Sequence, residues 1–202
     1  MPELTTALPL LALTALLGYL LGAVPFGMVM AKVFGLGDIR KIGSGNIGAT
    51  NVLRTGNKIA ALLTLIGDVG KGAFAVLMAG QLIGADAAQV AGFFAFLGHC
   101  YPVYIGFKGG KGVATWLGTV LALAWPIGLA AAGTWLVVVA LFRISSLGGM
   151  LAAVATPIWA LVLGRADMAL LCAALAALIL LRHHENIRRL LRGEEPRIGK
   201  KR

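Results

Sequence analysis

The sequence predicts an all-α integral membrane protein, with seven transmembrane helices, its N-terminus outside and its C-terminus in the cytoplasm. Three observations predict this class. First, 59% of the 202 residues are hydrophobic and only 13% charged, with a mean hydropathy of +0.88. Soluble domains carry about 25% charged residues, whereas lipid removes the need to hide apolar surface. Second, the apolar residues fall into runs of membrane-crossing length near residues 7–31, 59–83, 87–107, 113–142, 147–163 and 168–181. Third, the formal charge of +10 is distributed unevenly among the connections.

The first run lacks a basic n-region, its only early charge being Glu3, and it outlasts a signal-peptide h-region. It therefore reads as a retained first span. The second holds "GDVGKG", which puts Asp68 and Lys71 inside a span. Buried charges in lipid are costly, and an i, i+3 pairing relieves part of that cost. The two either line a polar site or neutralise each other. The third run leads into His99 and Pro102; His99 reads as a support for the following loop, a substrate contact or an ordinary structural residue.

The fourth run, 113–142, is too long for one crossing. As a single helix it would measure about 45 Å against a hydrocarbon core of about 30 Å. Pro126 in "AWPIG" breaks it, because proline lacks a backbone donor and clashes with the preceding turn. Two short helices or one kinked helix satisfy this pattern, and charge decides between them. With two helices, sixteen of the 18 Lys and Arg lie on one side, in 32–58, 108–111, Arg143 and the tail from Arg182. With one fewer, Arg143 and the basic tail would be translocated, against the positive-inside rule. The runs 147–163 and 168–181 supply the last two spans. The whole chain, 1–202, reads as a single polytopic domain. Cys100 and Cys172 have no metal or redox spacing and read as packing residues.

This topology collects three polar segments on the cytoplasmic side. In "GSGNIGATNVLRTGNK", 43–58, Gly43, Gly45 and Gly48 have the G-x-G-x-x-G spacing of a dinucleotide-binding turn. That turn requires a preceding β-strand and a βαβ unit, and here a membrane helix precedes it. The Rossmann reading fails on context. Ser44, Asn46, Thr50 and Asn51 remain as neutral hydrogen-bonding groups, with Arg54 as a guanidinium suited to phosphate or as a topology anchor.

"GHCYPVYIGFKGGKGVAT", 98–115, contains "KGGKG" just before a helix expected from about Val113. Gly109, Gly110 and Gly112 can converge their N–H groups into an anion-binding nest. The helix N-terminus adds partial positive charge, and Lys108 or Lys111 adds a full one. Gly112 stands where a Walker A loop needs Ser or Thr, so an ATPase is not indicated. A flexible positive-inside loop accounts for the same residues. In "RHHENIRRLLRGEE", 182–195, His183 and Asn186 share a helical face at i, i+3. The arginines after them also suit a basic helix on anionic lipid, and His183 also suits a solvated interfacial histidine.

No carboxylate spacing suggests a metal and no G-x-S-x-G elbow suggests a hydrolase. Nothing calls for a cofactor, a nucleic acid or an obligatory protein partner. Anion sites beside an apolar interior suit a substrate with a phosphate and a greasy chain. Transporters place such sites near the midplane on broken helices, so an enzyme of lipid synthesis is favoured over a transporter. The residues alone leave the reaction open.

The chain resembles the bacterial PlsY family of acyl-phosphate:glycerol-3-phosphate acyltransferases. The resemblance rests on "GSGNIGATNVLR", "GHCYPVYIGFKGGKGVAT" and "HHENIRRLLRGEE", in that order and over essentially the whole chain. It implies a multi-pass enzyme of the bacterial plasma membrane with its active site on the cytoplasmic face, embedded in membrane lipid. It implies that the sn-1 hydroxyl of glycerol 3-phosphate attacks an acyl phosphate, giving lysophosphatidic acid and phosphate, the first step of phospholipid biosynthesis. The residues implied are Ser44, Asn46 and Arg54 from the first motif, and Lys111, Lys108, Gly109, Gly110 and Gly112 from the second. The third contributes His183 and Asn186, with Glu195 holding the tail in shape. The proton acceptor stays open between His183 and a phosphate oxygen of the substrate.

Overall fold

The structure is a computed structural model that describes residues 2–199. Among these residues there are ten α-helices, three short 3-10 turns and no strand. The chain divides into two compact units, residues 4–123 and a second from Ala124 onward.

The first unit holds α1 (Leu8–Gly22), α2 (Phe26–Val33), α3 (Ala49–Leu53), α4 (Lys58–Leu82), α5 (Ala85–Cys100) and α6 (Val113–Leu123). The first apolar run is thus two helices. Pro25 lacks an N–H and interrupts the ladder between α1 and α2. α1 packs most extensively on α5 and α4 on α6. Both crossings are close because glycines face backbone: a Cβ on Gly18 would sit 2.8 Å from the Ala91 carbonyl oxygen, and one on Gly118 would overlap that of Val69. In lipid such backbone approach replaces the hydrophobic drive that water supplies to soluble bundles. α5 stops earlier than the predicted 87–107. Tyr101 precedes Pro102 and is held out of the helical region at φ −134°, ψ 63°, the restriction proline places on its predecessor.

The second unit holds α7 (Trp125–Phe142), α8 (Ser145–Val162), α9 (Ala169–Arg182) and α10 (His184–Leu191). The run 113–142 does split, with Ala124 extended (φ −157°, ψ 95°) and Pro126 in the first turn of α7. There its missing N–H breaks no intrahelical bond. α8 packs on both α7 and α9, and Trp159 Nε1 donates to Thr134 Oγ1 at 3.1 Å across α7 and α8. Its core includes Ile127, Ala152, Met168, Leu175 and Ile179.

Leu8–Val33, Lys58–Leu82, Trp125–Phe142 and Ser145–Val162 are long and apolar enough to cross a membrane. The segments Ala166–Arg182 and His184–Leu191, bent by 64°, make a fifth candidate. Leu16, Leu17, Ile66, Phe74, Leu141 and Leu161 are exposed on these helices, as lipid-facing residues are.

Candidate active site

The first predicted segment is organised by a residue that prediction left among the neutral polar groups. Asn51, buried in α3, donates from Nδ2 to the Ile39 carbonyl at 2.7 Å. Its Oδ1 accepts from Ser44 N–H at 3.2 Å, Ser44 Oγ at 3.4 Å and Arg54 Nη1 at 3.5 Å. One amide therefore brings the predicted residues Ser44 and Arg54 together. Gly43 lies beneath Arg54 at φ +56°, and a Cβ there would come within 2.6 Å of Arg54 Nη1. Only glycine meets both demands. Asn46 Oδ1 is buried and accepts no hydrogen bond among the described residues. Arg40 is engaged by Asp38 at 2.9 Å. Hydrogen bonds from the Arg40 side chain and backbone hold that carboxyl at about 2.

The second segment leaves α5 at Cys100, passes a 3-10 turn at Val103–Ile105 and returns to its starting point. Gly110 N–H donates to the His99 carbonyl at 3.0 Å. This N–H, expected to serve an anion, closes the loop here. Gly112, at φ +84°, lies against the Phe96 ring and opens α6 at Val113. Lys108 is exposed, Gly109 and Lys111 are half-buried, and Gly110 and Gly112 are buried.

Ile105 packs on the cluster formed by Ala31, Ile39, Ile47, Val52, Ala60 and Ala61. Three of those residues, Ile39, Ile47 and Val52, lie in or beside the first segment. The two glycine-bearing, cationic segments share one apolar foundation.

Beneath the second segment lies an ionic cluster that was visible only in parts. Asp68 and Lys71 pair at 3.0 Å, as the i, i+3 spacing anticipated. The addition is His99, whose Nδ1 is 3.4 Å from Asp68 Oδ1. Buried charges in an apolar run are a sequence signal, but their partner thirty-one positions away has none.

In the second unit, His183 sits at the bend between α9 and α10, and both His183 and Asn186 are buried. A solvated interfacial His183 is thereby ruled out. His183 Nδ1 lies 2.8 Å from the Ile179 carbonyl. A carbonyl only accepts, so Nδ1 carries the proton and Nε2 is the acceptor in the neutral ring. Asn186 Nδ2 donates to Glu195 Oε1, which also accepts from Ser146 Oγ at 2.6 Å. Arg189 Nε donates to Glu195 Oε2 at 2.7 Å. Burial pushes the Glu195 carboxyl up, but these three donors outweigh it and hold it below its ordinary value. The tail continues to Ile198, whose N–H donates to the Arg143 carbonyl at 2.7 Å. No group of three or more His, Cys, Asp or Glu among the described residues is placed to hold a metal.

Residues 12–193 match the family model described as "Glycerol-3-phosphate acyltransferase". A glycerol-3-phosphate acyltransferase of Jannaschia sp. is 64% identical over 199 residues, 98% of each chain. One from Cereibacter sphaeroides is 62% identical over 201 residues, covering all of this chain and 96% of its own. Among solved structures, PlsY, an integral membrane glycerol 3-phosphate acyltransferase in its glycerol 3-phosphate form, is 40% identical with a TM-score of 0.88. That match covers 94% of this chain and 96% of that one. The lysophosphatidic acid form of PlsY superposes with a TM-score of 0.85 at 37% identity, over 94% and 95% of the two chains.

Proposed function

Because the chain belongs to the glycerol-3-phosphate acyltransferase family, we propose that it transfers an acyl group from an acyl phosphate to the sn-1 hydroxyl of glycerol 3-phosphate. The observation that carries this reading is the shared foundation under the segments of Arg54 and of Lys108 and Lys111. It supports adjacent cationic sites for two phosphate-bearing reactants. Two unit charges 5 Å apart repel by about 3 kcal/mol at an effective dielectric constant near 20, and fixed cations offset this at the moment of encounter. The PlsY relatives, solved in glycerol 3-phosphate and lysophosphatidic acid forms, support the acceptor and the product.

In this reading Arg54, oriented by Asn51, grips one phosphate, and Lys108 and Lys111 grip the other at the start of α6. Ser44 and Asn46 contribute neutral hydrogen bonds, and Gly109 and Gly112 allow close approach of backbone to phosphate. Within the second unit, His183 Nε2 is an acceptor suited to a hydroxyl proton, and Asn186, held by Glu195, is an amide suited to orienting a substrate. The hydroxyl oxygen forms a bond to the acyl carbon, the bond from that carbon to the phosphate oxygen breaks, and phosphate departs. The hydroxyl proton ends on the departing phosphate, directly or by way of His183. An anhydride already has a good leaving group, so no covalent acyl-enzyme is needed.

The proposal includes seven crossings, with the N-terminus outside and the C-terminus in the cytoplasm of a bacterial plasma membrane. Charge supports it, since this topology keeps Arg143 and the basic tail on the inside, whereas one crossing fewer would translocate them. Reagents that label cysteines from one side, applied to single-cysteine variants at 108, which is exposed, and at 197, test it. Labelling of the two from opposite sides overturns it.

The activity is tested with purified protein, palmitoyl phosphate and glycerol 3-phosphate in chelator, following phosphate release and product regiochemistry. Lysophosphatidic acid acylated at sn-1 is the expected product. Acylation from an acyl thioester but not from the acyl phosphate overturns the donor assignment.

A further inference from the structure

Polar contacts run through the apolar interior of residues 4–123, from the break in the first span to the glycine loop. Lys71 Nζ donates to the Val24 carbonyl at 2.8 Å, in the break between α1 and α2. The same ammonium pairs with Asp68 at 3.0 Å, and Asp68 Oδ1 faces His99 Nδ1 at 3.4 Å. The His99 carbonyl takes the Gly110 N–H, and the far edge of its ring covers Gly110. A Cβ built there would overlap Nε2 and lie 2.9 Å from Cε1 and 3.0 Å from Cδ2. All three ionisable side chains are at most 4% exposed.

Three such groups inside an apolar bundle are expensive, and packing alone does not account for them. The helices are already held by small residues, Gly72 against Thr115 and Gly118 against Val69. What the cluster adds is a fixed ring orientation. One edge of the ring faces Asp68 Oδ1 through Nδ1, and the opposite edge is aimed at residue 110.

We propose that His99, clamped by the Asp68–Lys71 pair, is the seat of the glycine loop and a positioning residue for the phosphate site. Glycine is required at 110 by the imidazole beneath it and not by the anion above. The proposal rests on the reading that this loop binds a substrate phosphate. It differs from a nest at Gly110 in a way that two substitutions separate. If the anion sets the requirement, an alanine at 110 is harmful whatever stands at 99. If the ring sets it, a smaller side chain at 99 makes room.

The test compares the wild type with Gly110→Ala, His99→Asn and the double variant in detergent. Asparagine keeps an N–H donor for Asp68 and removes the ring edge. For Gly110→Ala the expectation is a KM for at least one phosphate substrate raised tenfold or more, with kcat changed less than threefold. The double variant should recover at least threefold of that loss. A double variant as impaired as the product of the single effects, or more so, overturns the proposal.

Hydrogen exchange of residues 106–113 supplies a readout independent of turnover. Faster exchange in Gly110→Ala, reversed in the double variant, supports the seat, and unreversed exchange overturns it. A wild type that exchanges as expected but acylates nothing defeats the functional reading while leaving the seat standing.

Discussion

Asn186 and Glu195 meet head-on across the end of α10, the Asn186 amide donating to a carboxylate that Ser146 and Arg189 also bind. A candidate substrate-orienting amide is therefore fixed by a residue nine positions further along. This junction has a definite pH sign. The Glu195 carboxyl, ordinarily near 4.5, is held lower in the folded protein. Its contribution is complete above about pH 4.5 and is lost as pH falls through the depressed folded value.

Glu195→Gln should keep the shape and lose the charge. Hydrogen exchange across 184–198 should be faster than in the wild type at pH 7, with turnover reduced roughly tenfold. In the wild type the same segment should open only in acid, and in the variant acid should add little. An identical acid dependence in both proteins would show that another group controls the tail.

Lys71→Met should destabilise the first unit by about 3–5 kcal/mol, because it strands the Asp68 carboxylate in an apolar interior. Asp68→Asn combined with Lys71→Met should recover much of that loss, because no uncompensated charge remains. Thermal unfolding in detergent reads both. A double variant as unstable as the single would mean that the Val24 contact, and not charge balance, dominates.

Gly43→Ala should impair phosphate binding without unfolding the protein. A side chain at φ +56° is strained by about 1–2 kcal/mol, and it would push Arg54 off its stacking position over residue 43. The expected result is a KM raised roughly tenfold, equivalent to about 1.4 kcal/mol, for the reactant that Arg54 holds. Arg54→Lys, which loses the guanidinium fork, should raise the same KM and leave the other alone. Should the two substitutions affect different reactants, the link between Gly43 and Arg54 would be wrong.

His183→Ala distinguishes a base from an orienting group. Loss of a general base lowers kcat by about 10²–10⁴-fold and abolishes the acid limb of the pH–rate profile. Loss of a hydrogen-bond acceptor lowers kcat less and leaves the limb in place, because phosphate then takes the proton. Rates at saturating substrate across pH 5–9 report which.

The helical membrane class was legible because it depends on composition and on runs of apolar residues, both local. Pro126 announced the break near residue 124, and "KGGKG" announced the start of α6 at Val113. Pro25 and Pro102 carry the same kind of information. The first run remains one candidate span but is built of two helices, and the third ends at Cys100, where proline restricts its predecessor, and not near 107. Ser44 and Arg54 were legible as chemistry, but Asn51, which joins them, looks no different from its polar neighbours. Its role comes from burial under Ile39, a tertiary fact. Likewise the i, i+3 spacing of Asp68 and Lys71 is written in the chain, whereas His99 reaches them only once α4 and α5 pack together.

The bond from Ile198 to the Arg143 carbonyl has a practical side for anyone handling the protein. A pull on residue 198 is passed to the corner between α7 and α8 and to the segment that carries Glu195. Purification handles and fluorescent reporters therefore belong on the side of Thr5 and Thr6, which are fastened to Asp86 and not to the Glu195 segment.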